Sequence, residues 1–527
     1  MSAPTLFATD TLRGQLQAVI RLSIPAVLSQ ISATAMQYID ATMVGSLGAN
    51  ASAAIGLVSS STWLLSGLCA AAATGFSVQV AHRIGAGQDD RARAVVRQAV
   101  VFSVWFGLLL AAAGAAVSRP LPVWLGGAAD ICADAAAYFL IYALALPALL
   151  VQQMFGAILQ CSGDMRTPSL LNVLMCLLDV VFNAIFIFPG LQLGPVRLPG
   201  AGMGVAGAAL GTALAQAVVA LLMLWAVLAR SPRLRHLGGS WRPDGECLRT
   251  AARIAVPAAV ERVTLSAAQI AATRIVSPLG TVAVAANSLA VTAESFCYMP
   301  GYGISAAATT LVGQSLGAGE KRRARRFAWL STALGMAVMG GTAVVMFLLA
   351  PAIFTMLTPD AAVRSLGVQV LRIEAFAEPL FAASIVAAGA LRGAGDTLAP
   401  SLMNLVSMWG GAHHAGGLAG APLGAARRLG GHVLRTLRAG RALPGAAAAG
   451  PLAGKEGGLT APARRGIPID PAGHGRRPGG GRALFFCAVF RPAGRRKGTK
   501  AAAGGRGGKR NPETLLLPGG RVTINAK

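Results

Sequence analysis

The sequence predicts an all-α integral membrane protein with two parallel-repeat lobes of six helices each, a twelve-helix plan whose second lobe is incomplete after about residue 410. Long uncharged segments, an internal repeat and a bias in basic loops predict it. Of 527 residues, 54% are hydrophobic and 13% are charged, and the mean hydropathy is +0.59. Soluble proteins carry about 25% charged residues, so the composition favours the membrane class.

Four segments lack Asp, Glu, Lys and Arg altogether: 98–118, 135–163, 198–229 and 327–359. Each exceeds the roughly 20 residues that a helix needs to cross the hydrocarbon core. Together with the Gly and Pro positions, these segments predict eleven spans near 18–46, 52–82, 97–118, 135–160, 167–189, 201–229, 251–277, 283–314, 327–356, 365–391 and 398–410.

The spans divide the chain into five segments. We expect a cytoplasmic N-terminal segment at 1–16, an N-terminal lobe at 17–230, a cytoplasmic inter-lobe linker at 231–250, a C-terminal lobe at 251–410 and a basic tail at 411–527.

The second set of spans repeats the first at one ungapped offset of 232 residues. Repeats at a fixed period indicate a duplicated architecture. The offset takes Ile24-Pro25-Ala26 to Val256-Pro257-Ala258, Leu47-Gly48 to Leu279-Gly280, Gly85-Ala86-Gly87 to Gly317-Ala318-Gly319, and Gly163-Asp164 to Gly395-Asp396. Four landmarks at one offset are too many for coincidence, so we interpret the chain as a duplicated bundle.

Basic residues in the loops predict the orientation in the membrane. The loops after even-numbered spans carry most of the Lys and Arg, notably 83–97, 230–253 and 321–326, whereas the loops after odd-numbered spans carry three in all. We therefore expect a cytoplasmic N-terminus. An even number of spans per half then makes the two halves parallel repeats, an arrangement typical of alternating-access carriers.

Two acids lie within apolar spans of the first half. Asp40 lies in span 1 with Gln37 one turn before it, and Asp179 lies in span 5 with Asn183 one turn after it. Ionisable groups inside a bilayer are costly and usually functional. We interpret the four residues as an ion-coupling site that exchanges a proton for a cation such as Na⁺; a structural hydrogen bond between helices is the alternative.

The second half carries acids in different places. Glu294 in span 8 and Glu378 in span 10 have no basic residue within a turn, so they are candidates for contacting a cationic substrate. Glu261 in span 7 is a further candidate, although it lies beside Arg262 and is also consistent with a structural ion pair. Glu374 lies near Arg372 and has the same two interpretations.

Several function classes receive no support. The seven cysteines have no CxxC or metal-ligand spacing, so neither a disulfide framework nor a zinc site is predicted. The two Gly-Ala-Gly segments lack the context of a phosphate loop and fit helix-ending glycines. An intramembrane prenyl transferase would need an Asp-rich Mg²⁺ motif, which is missing. We expect no enzyme activity, no cofactor and no nucleic-acid partner.

The net charge of +26 is concentrated after residue 410, where 21 Lys and Arg face 3 acids; the first 410 residues carry 25 and 17. By the offset, spans 5 and 6 should recur at 399–421 and 433–461. The first recurrence begins well but becomes largely Gly and Ala, which gain little from insertion, and the second carries several Arg and Lys and cannot span a bilayer unaided. The composition favours disorder. We interpret the tail as the product of a shifted reading frame; a basic regulatory tail that contacts anionic lipid is the alternative.

The strings QYIDATMVGSLGANASAAIGL, LLDVVFNAIFIFPG and AANSLAVTAESFCYMPGYGISAAATTLVGQSLGAGE, with the duplicated SGDMRTP and RGAGDTLAP turns, resemble the multidrug and toxic compound extrusion (MATE) family. The resemblance covers residues 15–410 and both lobes. It implies a V-shaped antiporter that expels cationic drugs in exchange for H⁺ or Na⁺, and we expect a monomer surrounded by lipid in the bacterial cytoplasmic (inner) membrane.

The resemblance extends unevenly to the site residues. Asp40 matches the family's aspartate on span 1. On span 5 the family order, Asn and then Asp four residues later, is exchanged here as Asp179 and Asn183. In the second lobe the family's acid on span 10 corresponds to Phe381, and Glu261 falls about one turn early. Two alternatives stay open: a lipid-linked sugar flippase of the same superfamily, and an inactive chain that lacks spans 11 and 12.

Overall fold

In the computed structural model, the described residues are 11–193, 196–235, 238–276 and 281–404. In the first half they form helices α1 (Leu12–Gly45), α2 (Ala49–Gly85), α3 (Asp89–Val117), α4 (Leu121–Trp124), α5 (Ala129–Ser162), α6 (Arg166–Ile187) and α7 (Gly204–Trp225). In the second half they form α8 (Gly245–Val276), α9 (Thr281–Gly317), α10 (Lys321–Leu357), α11 (Ala361–Ala375) and α12 (Glu378–Gly393).

Seven helices of the described part are long and apolar enough to cross a membrane: α1, α2, α3, α5, α6, α10, and α7 with its continuation to Arg230. Large apolar side chains are exposed on several of them, including Trp105, Leu170, Leu221 and Leu348. A solvent-exposed helix of a soluble protein would place charged residues there. Both features confirm the prediction of a multi-pass membrane protein.

Equivalent hydrogen bonds in the two lobes confirm the duplication. Ser169 Oγ donates to the carbonyl of Pro25 at 2.6 Å, and Ser401 Oγ donates to the carbonyl of Pro257 at 3.1 Å. Each bond joins positions that the 232-residue offset relates. Asp164 accepts from the backbone N–H of Thr167, as Asp396 does from Ala399, so the duplicated Gly-Asp turns are helix-capping turns.

Two details depart from the predicted spans. Strands β1 (Gly190–Leu193) and β2 (Val196–Pro199) form an antiparallel hairpin between α6 and α7, where only a loop was expected. Predicted span 10 is not one helix, because a turn at 376–377 separates α11 from α12.

The break in span 10 has a local cause. Pro379 has no N–H and therefore cannot donate to the carbonyl of Ala375, the last residue of α11, so the helical hydrogen bonding is interrupted between α11 and α12. The first-lobe equivalent, Pro147, lies inside the continuous helix α5. The same proline therefore interrupts the helix in one lobe and is accommodated in the other.

A further helix begins at residue 398 and is described to residue 404, which agrees with the predicted start of span 11. The predicted departure near residue 410 and the tail at 411–527 lie outside the described residues.

Candidate functional site

The first-lobe acids meet at the contact between α1 and α6. Asp179 and Asn183 are four residues apart on α6, so they lie on one helical face. Both are fully buried, at 0% exposure, whereas Asp40 on α1 is half-buried. The sequence predicted these three residues from separate spans, and the fold brings them together.

One amide group links the two carboxylates. Asn183 Nδ2 donates to Asp40 Oδ1 at 2.8 Å and to Asp179 Oδ2 at 3.0 Å. The residues Asp40 and Asn183 are 143 positions apart, so this bond joins the first and sixth helices of the lobe. Asn183 Nδ2 carries two hydrogens, and it donates both of them to the two carboxylates.

Two oxygens of this group have no hydrogen-bond partner among the described residues: Asp179 Oδ1 and Asn183 Oδ1. Gly211 on α7 faces the amide, and a Cβ at that position would clash with Asn183 Oδ1. Buried oxygens without donors are costly. A proton on one carboxyl or a cation between the oxygens would satisfy them.

Gln37, the fourth predicted member of this site, is exposed on α1. Among the described residues, Asn183 donates a hydrogen bond to Asp40, whereas the side chain of Gln37 does not. The structure therefore brings together three of the four predicted residues.

Glu261 has a closed set of partners in the second lobe. Arg392 Nη2 lies 3.3 Å from Glu261 Oε1 and 3.4 Å from Oε2, Asn404 Nδ2 donates to Oε1 at 2.7 Å, and Ser401 Oγ lies 3.0 Å from Oε2. The ion-pair partner is thus 131 residues away rather than the adjacent Arg262. Because each carboxylate oxygen already has a donor, the geometry favours a structural role for Glu261.

The remaining second-lobe acids form a group that we call the acidic cluster: Glu294, Glu374 and Glu378. The carboxyl of Glu294 on α9 contacts that of Glu378 at the start of α12, and Glu374 at the end of α11 is near enough to Glu294 for their charges to interact. Glu374 and Glu378 are 4% and 1% exposed. The break between α11 and α12 places two of the three acids at adjacent helix ends.

Three of the six carboxyl oxygens of the acidic cluster lack a donor in the described part of the chain. Both oxygens of Glu378 and Oε2 of Glu374 are buried without a hydrogen-bond partner. Arg372 instead lies over the ring of Phe347, 5.1 Å from its centroid. Two carboxyl groups can hydrogen-bond only when one carries a proton, and buried carboxylates without counter-ions are strongly unfavourable. The cluster can therefore accept a proton or a cationic group.

A direct contact between the lobes joins α1, which carries Asp40, to α9, which carries Glu294. Tyr38, two residues before Asp40, donates its hydroxyl hydrogen bond to the carbonyl of Thr292 at 2.7 Å and lies 2.9 Å from Ser295 Oγ. The Tyr38 ring stacks on Phe296 with centroids 5.1 Å apart. Ser295 follows Glu294 in α9, so this contact links the helix of Asp40 to the helix of one member of the acidic cluster.

The fold and the paired acid sites define a two-lobed membrane transporter, and the comparisons identify its family. A sequence profile of the MatE family matches residues 25–185 and 257–412, more than half of the chain. The chain belongs to this family. The two matched stretches begin 232 residues apart, at the offset of the internal repeat, and the second ends close to the predicted departure near residue 410.

Individual relatives agree. The chain is 26% identical over 397 residues to the probable multidrug resistance protein NorM of Thermotoga maritima, covering 74% of this chain and 82% of the relative. It is 26% identical to the multidrug resistance protein PmpM of Pseudomonas aeruginosa, covering 78% and 85%. A crystal structure of MATE in complex with MaL6 superposes with a TM-score of 0.77 at 20% identity, covering 84% of this chain and 96% of that chain.

Sequence reasoning missed three features of the site. These are the ion pair between Glu261 and Arg392, the convergence of Glu374 with Glu294 and Glu378, and the contact from Tyr38 to α9. The repeat offset contained a partial signal for the contact between Asn404 and Glu261. It relates Glu261 to Ser29 and Asn404 to Asn172. In the first lobe the equivalent bond is present, because Asn172 Nδ2 donates to Ser29 Oγ at 2.6 Å.

Proposed function

We propose that this protein exports organic cations across the bacterial cytoplasmic membrane in exchange for H⁺ or Na⁺, which binds at Asp40, Asp179 and Asn183. The observation that carries the proposal is the fully buried acid-amide group with two oxygens left without donors. Such a group is stable in an apolar bundle when a proton or cation occupies it. The names of the relatives, multidrug resistance proteins, support export of drugs.

The polarity of the candidate residues supports a cationic substrate. Glu294 and Glu378 would face the charged end of the substrate, and Tyr298 and Phe381 pack edge-to-face beside them, with centroids 5.9 Å apart. Carboxylates and aromatic rings together are the common protein partners of organic cations. Glu261, held by Arg392, would stabilise the lobe and would not contact the substrate.

The same polarity argues against the flippase alternative. A carrier of a lipid-linked diphosphate needs a cationic cavity, whereas the ionisable groups at the two candidate sites are carboxyls: Asp40 and Asp179 in the first lobe and the acidic cluster in the second. One solved relative from Pyrococcus furiosus, with a TM-score of 0.75 at 20% identity, is described by a reverse polarity of its binding pocket that suggests a different function. Pocket polarity is therefore the property that separates the two hypotheses.

The test is transport in proteoliposomes that contain the full chain. An imposed H⁺ or Na⁺ gradient should drive movement of tetraphenylphosphonium, and Asp40→Asn or Asp179→Asn should abolish the gradient-driven part. Asp90→Asn is the matched control, because Asp90 pairs with Arg93 at an exposed surface and such pairs contribute little. Wild-type rates in both site variants would refute the coupling assignment.

The inactive-chain alternative is supported by the position where the family match ends, residue 412. A chain without the second-lobe equivalents of α6 and α7 would bind cations at its remaining sites but would not pump them. Binding of tetraphenylphosphonium without gradient-driven transport would favour this alternative. The coding DNA across residues 400–420, translated in three frames, would show whether an uninterrupted family sequence continues in another frame.

A further inference from the structure

The two lobes meet through a reciprocal pair of glycine contacts at the end of the bundle that carries the basic loops. Gly85, the last residue of α2, lies against the carbonyl of Gln314 on α9, and a Cβ there would clash with that oxygen. Gly317, the last residue of α9, lies in the same way against the carbonyl of His82 on α2. The 232-residue offset relates Gly85 to Gly317 and His82 to Gln314. The contact is therefore pseudo-symmetric.

The same two residues, His82 and Gln314, each reach across to the opposite lobe. His82 Nε2 lies 2.8 Å from the carbonyl oxygen of Gly393, and Gln314 Nε2 donates to the carbonyl of Cys161 at 2.7 Å. A carbonyl can only accept, so Nε2 of His82 carries the hydrogen. The acceptors Cys161 and Gly393 are also related by the offset. Two equivalent side chains thus make two equivalent inter-lobe bonds.

The accepting carbonyls are available because they lie at helix ends. Gly393 is the last residue of α12, and Cys161 is the penultimate residue of α5. The last four carbonyls of a helix have no partner within the helix. Each lobe therefore satisfies a terminal carbonyl of the other. Separation of the lobes at this end would return both carbonyls and both donors to water.

We propose that His82 and Gln314 are paired latches of the gate at the basic end of the transporter, which is closed in this structure, and that both latches must release before a substrate enters from that side. Gly85 and Gly317 permit the close approach of α2 and α9 on which the latches depend. This role goes beyond ion coupling and does not depend on whether H⁺ or Na⁺ is exchanged.

Native cysteines provide the test. Cys161 lies at the gate and is 4% exposed, whereas Cys69 lies in the apolar core of the first lobe and is 0% exposed. The full chain in nanodiscs is treated with N-ethylmaleimide, and the labelling of each cysteine is followed by peptide mass spectrometry. The rate at Cys161 reports the open fraction of the gate when opening is fast and reversible.

We expect His82→Ala or Gln314→Ala to raise the labelling rate of Cys161 about fivefold, as the loss of one neutral hydrogen bond predicts. The double variant should exceed either one, and His82→Gln, which makes the latches identical, should stay near wild type. Gly85→Ala should also raise the rate, because its Cβ would push α2 away from α9.

Labelling of Cys69 should stay constant in all these variants. Unchanged labelling of Cys161 in the double variant would overturn the proposal, and so would an equal rise at Cys161 and Cys69, which indicates unfolding rather than gate opening. Because the readout is accessibility, a failure of gradient-driven transport does not affect it.

Discussion

The two lobes share the same helix arrangement, but their buried acids lie at different positions of the repeat. The first lobe has Asp40 and Asp179, whose second-lobe equivalents in sequence are Ala272 and Gly411. The second lobe has the acidic cluster. Ionisable residues within a bilayer indicate functional sites. The comparison therefore shows that duplication preserved the helix contacts while the chemistry of the halves diverged.

The equivalents of the acidic cluster in the first lobe are neutral: Thr62, Tyr142 and Leu146. Tyr142 donates its hydroxyl hydrogen to the carbonyl of Thr62 at 2.9 Å, so this polar pair is satisfied within the lobe. At the equivalent second-lobe places, Glu374 Oε2 and both oxygens of Glu378 have no such donor among the described residues. The equivalent regions thus differ: a satisfied polar pair lies in the first lobe, and buried carboxyl oxygens without donors lie in the second.

The largest difference that we expect between equivalent positions is in stability. Glu261→Ala should lower the free energy of unfolding by about 3 to 5 kcal/mol, because it leaves the half-buried Arg392 without its ion-pair partner. Ser29→Ala, at the equivalent first-lobe position, should cost about 1 kcal/mol for one lost hydrogen bond. Thermal melts in detergent compare the melting temperatures of the two variants. Equal decreases would show that the ion pair between Glu261 and Arg392 contributes no additional stability.

The next largest effect concerns the first-lobe site. Asn183→Leu removes the donor that both carboxylates share, so the affinity for the coupling ion should change by about 10- to 100-fold. Ion-dependent quenching of tryptophan fluorescence in nanodiscs would measure it. As a control, Asp179→Asn with Asn183→Asp restores the order common in the family and should retain ion binding. Loss of binding in this exchanged variant but not in Asn183→Leu would contradict the assignment.

Replacement of Glu378 by the residue of the first lobe should stabilise the protein. Glu378→Leu removes a buried carboxyl without a donor, and Leu146 occupies the equivalent position, so the gain should be about 1 to 2 kcal/mol. The same variant should lose affinity for tetraphenylphosphonium. A lower melting temperature would mean that Glu378 has a stabilising partner, and would remove the reason for assigning it to substrate.

The smallest effect is expected at the contact between the sites. Tyr38→Phe keeps the stacking on Phe296 and removes the hydroxyl bond to the carbonyl of Thr292. We expect the affinity for tetraphenylphosphonium to stay nearly unchanged. The effect of the coupling ion (H⁺ or Na⁺) on that affinity should become about fivefold weaker. Binding titrations with and without the ion would measure both. Unchanged dependence would exclude this contact as the link.

The sequence predicted the features that depend on local composition and on the repeat. Helix positions followed from apolar length, and the pairing of Asp179 with Asn183 followed from their spacing on one helix. The split of span 10 was missed because Pro147, the equivalent proline, gives no break in α5. The partners of Glu261 were missed because its neighbour Arg262 competes in sequence, whereas in the fold α8 packs so that Arg392 is the nearer cation.

We propose that the first lobe binds the coupling ion and that the second lobe binds the cationic end of the substrate. Binding of tetraphenylphosphonium to the full chain in nanodiscs, measured with and without the ion in wild type, Asp179→Asn and Glu378→Gln, tests it most directly. We predict that Asp179→Asn keeps the affinity but loses its dependence on the ion, and that Glu378→Gln loses the affinity itself. The reverse pattern, or identical behaviour of the two variants, would contradict the account.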